Sequence, residues 1–170
     1  MKNELWAVFV VLAVVFCILL AQGGDDQFNL LRVPVNYEVA LEKQAARVFQ
    51  EVSVDITSAL FFETGSGRAV LYMEPVRFMG SWTTKEVVEK LDRLGLRPAS
   101  AVEMTAYFKR LGRWPLKKGL SLVALGSESV RPDDLRRVYT CARAVAGRKG
   151  MVPISCEVWP DNYMFLGVAQ

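Results

Sequence analysis

The first pattern along the chain is an unbroken apolar run, residues 5–21 (LWAVFVVLAVVFCILLA), with apolar and polar positions interleaved in short stretches after it. At ~1.5 Å rise per residue a helix over this run covers most of a ~30 Å hydrocarbon core, and only a helix satisfies its own backbone there. Lys2 and the amino terminus precede the run, and Gly23, Gly24, Asp25 and Asp26 follow it. The positive-inside tendency therefore predicts residues 24–170 outside the cytoplasm. Residues 1–23 are expected either to stay as a signal anchor (a transmembrane helix) or to be cleaved near Ala21-Gln22-Gly23, giving a secreted chain.

Residues 24–34 read as a polar linker ending at Pro34, and residues 35–170 as one domain. Val35, Tyr37, Val39 and Leu41 alternate with polar or small residues, the period of a half-buried strand. Residues 43–63 fit neither period. Thr64-Gly65-Ser66-Gly67 signals a turn before a second strand, Arg68 to Phe78. Two helices follow. Thr83 with Glu86 forms a capping box ahead of Val87, Val88, Leu91 and Leu94 on one face, with Gly95 as the stop. Ser100 with Glu103 opens a second helix, Ala101 to about Leu111, after Pro98 has kept the chain extended. The last third predicts strands at Leu120–Leu125, Val138–Arg143, Met151–Val158 and Tyr163–Val168, with a turn at Gly147–Gly150. Strands, two helices, then strands predict an α+β fold with a mostly antiparallel sheet.

Charge changes the picture more than composition does. The net charge of +3 is unevenly distributed: residues 109–149 hold most of the basic side chains, among them Lys117 and Lys118. A positive face there would suit an anionic polymer, a lipid headgroup or a protein partner. No aromatic-and-basic module motif is present, so no nucleic acid is expected. The chain has no histidine, which removes the commonest general base and the commonest metal ligand. No metal or cofactor is expected, and Gly65-Ser66-Gly67 lacks a P-loop lysine.

Cys141 and Cys156 fall in consecutive strands whose midpoint lies between Arg148 and Lys149. In that register they face each other at disulfide distance. Two unpaired thiols are the alternative. The turn Trp159-Pro160-Asp161-Asn162-Tyr163 sets aromatics beside an amide and a carboxylate, a combination that suits a glycan or peptide ligand. Core packing and turn chemistry account for the same residues. The expected function is thus an exported, membrane-tethered binding or accessory module. A structural subunit of an envelope assembly and a hydrolase or transferase are the alternatives.

Three segments carry a resemblance: Leu96-Arg97-Pro98-Ala99-Ser100, Ala124-Leu125-Gly126-Ser127 and Tyr163-Met164-Phe165-Leu166-Gly167-Val168. Their order and spacing resemble a family of uncharacterised small bacterial proteins with an LRPAT…ALGS…YRFLAV pattern, over about 100 residues. More distantly, Pro75-Val76, Ser81-Trp82 and Leu96 to Glu103 resemble the sulfatase-modifying, or formylglycine-generating, domains of the C-type-lectin-like fold. That resemblance implies a scaffold without catalysis, since the reactive cysteines of those enzymes have no counterpart here.

Overall fold

The computed structural model describes residues 30–170 except 64, 113–115, 117, 118, 132, 134 and 146. Strand β1 (Leu31–Asn36) leads through a turn into a short helix, α1 (Leu41–Ala45), and a two-residue strand, β2 (Glu51–Val52). Strand β3 (Arg68–Val76), strand β4 (Trp82–Thr83), helix α2 (Thr84–Arg93) and strand β5 (Leu96–Pro98) follow. Next come helix α3 (Ala101–Leu111), the hairpin strands β6 (Ser121–Val130), β7 (Arg137–Val145) and β8 (Arg148–Ile154), then β9 (Val158–Trp159) and β10 (Tyr163–Ala169).

The α+β expectation holds. One sheet runs β1-β3-β10-β6-β7-β8-β2, with β5 also paired to β10; all pairs are antiparallel except β10–β6 and β2–β8. Strand alternation sends side chains to two faces, and each face has its own core. Val33, Met73, Leu122, Ala142 and Leu166 meet α1 and α3 on one side. Val123, Tyr139, Cys141 and Phe165 meet α2 and Trp159 on the other. Both helices begin on complete capping boxes, Thr83 with Glu86 and Ser100 with Glu103. Helix α3 is buried from Ala101 to Phe108 and ends on Gly112 at φ 64°, a left-handed cap that suits glycine.

Four expectations change. The first strand starts at Leu31 rather than Val35, with Val33 fully buried, so the folded region takes in part of the expected linker. Val39 and Leu41 leave the strand because Leu41 instead opens α1, where it is buried beside Ala45. Strand β6 does not stop at Gly126 but continues across a bulge between Ala124 and Glu128. The hairpin turns two positions earlier than its glycines suggested, so Cys141 faces Val152, and Cys156 lies beyond the end of β8 at Ile154.

The transmembrane expectation is corrected as far as the described residues reach. Among the described residues no helix is long and apolar enough to cross a membrane. The longest, α3, has 11 residues and spans about 16 Å, half of a hydrocarbon core. Residues 5–21 lie outside the described residues, as do Lys117 and Lys118.

Candidate functional site

The three segments that carry the resemblance meet in one place. Ala99 N–H donates to Leu166 O and Gly126 N–H to Ala99 O, so β10 and the β6 bulge both grip the turn between β5 and α3. A Cβ on Gly126 would sit 2.7 Å from Pro98 O and 2.8 Å from Ala99 O, and one on Gly167 would press on Leu96. Ser127 Oγ accepts from Ala101 N–H at 3.0 Å and its hydroxyl donates to Glu63 Oε1 at 3.0 Å. The motif residues thus cap and clamp the start of α3.

A buried carboxylate sits in the same knot. Glu103 is 2% exposed, and Arg97 donates to both its oxygens, at 2.9 and 2.7 Å. Ser100 N–H and the Tyr37 hydroxyl complete its shell. Burial opposes the charge on Glu103, yet these donors overcome it and hold the carboxyl below its ordinary range. The Tyr37 hydroxyl is pushed well above its usual value by burial and by this anion. Gly65 is what lets Tyr37 lie here, since any Cβ there would collide with the tyrosine ring. Every lone pair that matters is used, so this cluster holds structure together and offers no substrate an approach.

The residues singled out in the sequence do not gather into one site. Trp159 is fully buried; its ring meets Tyr139, Tyr163 and Phe165 edge to face, and Nε1–H donates to Thr84 Oγ1. It is a core residue, not a platform for a glycan. Asp161 and Asn162 are exposed on the turn, where their carbonyls accept from Arg77 Nε and Ser121 N–H. Tyr163 is half-buried. The two thiols are unbonded: Cys141 is buried, with its pKa pushed up to about 12 by that burial, and Cys156 Sγ–H donates to Val158 O. The expected disulfide is corrected accordingly, since register places Val152 and not Cys156 opposite Cys141.

A broad concave feature lies elsewhere. An open cleft of about 1230 Å³ runs between the first turns of α2, the bulged ends of β6 and β7, and residues 155–158. Leu125, Tyr139, Val88 and Val158 give it an apolar floor and wall. Lys85, Arg136 and Arg137 line it alongside Glu89, Glu128 and Glu157, three cations against three anions. Lys85 pairs with Glu89 at 3.9 Å and Arg137 with Glu128 at 3.5 Å, all on exposed side chains and therefore weak. Of this lining the sequence marks Thr83 and Val88 as parts of a helix and Cys156 as half of the expected disulfide, but does not bring them together, because four separate segments build the cleft. The expected common face of Val87, Val88, Leu91 and Leu94 is corrected here: Val87 and Leu91 are buried in the core, while Val88 is exposed and lines the cleft. Among the described residues no cluster of metal-ligating side chains is present. No protein-family model, curated protein or solved structure matches the chain.

Proposed function

We propose that the folded region is a binding or accessory module that docks a segment of a partner protein in the cleft between α2 and the β6–β7 ends. The observation that supports this reading is the lining: six charged side chains of balanced sign above an apolar floor. An anionic polymer or lipid headgroup would meet as many like charges as opposite ones there. A neutral glycan would want an exposed aromatic face, whereas Tyr139 is 4% exposed and Trp159 is wholly buried. A polypeptide offers apolar side chains and both signs of charge together. A C-type-lectin-like scaffold, the finer form of the α+β fold, agrees with a recognition role, although such scaffolds host many activities.

Peptides selected from a random display library on the full-length protein test this reading. Binders are expected to weaken at least tenfold against Val88→Asp and Glu157→Lys, and to be unaffected by Tyr72→Asp on the uncovered β1–β3 face. A library that yields no binder, or binders indifferent to both cleft changes, overturns it.

A further inference from the structure

Two carboxylates serve the first turn of α3, Glu103 from within that turn and Glu63 from the segment before β3, and they are not equivalent. Glu103 has a guanidinium, a hydroxyl and an N–H for partners. Among the described residues no cation pairs with Glu63. Its Oε1 accepts from Val102 N–H at 3.1 Å and from Ser127 Oγ–H at 3.0 Å, while Oε2 is buried with no hydrogen-bond partner among the described residues. Among the described residues the charged groups around it are the Glu103 anion and, behind that anion, Arg97, which Glu103 already occupies, with the Tyr37 hydroxyl beside them. Glu63 ends the segment 57–63, whose Phe61 is packed into the core at 1% exposure. Its carboxyl is the polar fastening between that segment, the start of α3 and the β6 bulge.

We propose that Glu63 is a proton-operated latch: protonated, it holds residues 57–63 on α3 and Ser127; ionised, it loosens them. A carboxylate with one oxygen sealed from water and an anion as neighbour is the one of the two that keeps its proton. Burial is the larger effect raising Glu63 above the ordinary glutamate range, with Glu103 adding to it and the Ser100, Val102 and Ser127 groups only partly offsetting it. The sign follows. A carboxyl raised in the closed state binds more protons closed than open, so closure is favoured below the ordinary glutamate value and lost as pH climbs to the raised one. The same segment borders Ser127, one residue before Glu128 of the cleft wall, so release of the latch frees the bulge on which that wall depends.

Hydrogen exchange of full-length protein across pH 4 to 8, corrected for intrinsic rates, reads the latch at the Val102 amide and in residues 57–63. Protection is expected to fall by up to tenfold per pH unit through the window and then level off, the limit for one linked proton. Glu63→Gln, neutral at every pH, should abolish the slope and keep these amides protected, and Glu63→Ala should leave them open throughout. Flat protection in the unaltered protein, or an undiminished slope in Glu63→Gln, overturns the proposal.

Discussion

At the scale of single residues, the asymmetry between Arg97 and Glu103 is the sharpest consequence of the buried knot. Arg97 keeps 41% of its side chain in water while Glu103 keeps 2%. Removing the cation strands a buried anion; removing the anion leaves a guanidinium that water can serve. Arg97→Met should therefore cost about 3 kcal/mol in denaturant unfolding, and Glu103→Gln about 1 kcal/mol. Equal losses would contradict the burial-based reading. Glu103 carries a carboxyl lowered in the fold, so its stabilisation is present above the ordinary glutamate value and disappears as pH falls through the lowered one. The two thiols give a second residue-scale outcome. Mass mapping after alkylation of native protein should find Cys156 modified and Cys141 protected until unfolding. Recovery of a Cys141–Cys156 disulfide peptide from native protein would contradict the hairpin register.

At the scale of elements, both helix starts were legible because a capping box is local: Thr83 with Glu86 and Ser100 with Glu103 specify themselves within four residues. Helix α3 ends at Leu111, about where the sequence placed it, and the left-handed Gly112 that stops it was not part of that reading. The first strand was misplaced because Val35 to Leu41 alternates, yet Leu41 buries itself on α1 instead, a tertiary choice no window contains. The hairpin register was misread because Gly147 and Gly150 both invite a turn. Gly147 at φ 80° takes it, while Gly150 pairs in the strand. The edges show a further element-scale device. Tyr37 N–H reaches Gly67 O and Arg32 O meets Arg110 outside, so Pro34 turns its missing donor outward on β1. Lys149 O and Met151 O accept from residues 50 and 53, which places Pro153 on the open side of β8 past β2. Prolines so placed blunt a sheet edge against a second chain. Pro153→Val should leave the folded state within about 1 kcal/mol while accelerating aggregation in light scattering; an unchanged rate would show that the edge is guarded by something else.

At the scale of the whole molecule, one sheet with a separate core on each face leaves the cleft where α2 ends its cover and the β6–β7 hairpin runs on beyond it. The fold class was readable from the order of elements, and the three resemblance segments marked the clamp at the start of α3. The site was not readable, since its walls come from α2, β6, β7 and residues 155–158, and only three-dimensional closure brings them together. The turn aromatics that drew notice in the sequence were drawn inward instead, Trp159 above all. Backbone-amide shift mapping of the full-length protein with a selected peptide puts the cleft reading to its most direct trial. The account predicts shifts concentrated at Thr84, Val88, Glu128, Tyr139 and Val158, with β1 and β3 silent. Shifts gathered on β1 and β3, with those five amides unmoved, would contradict it.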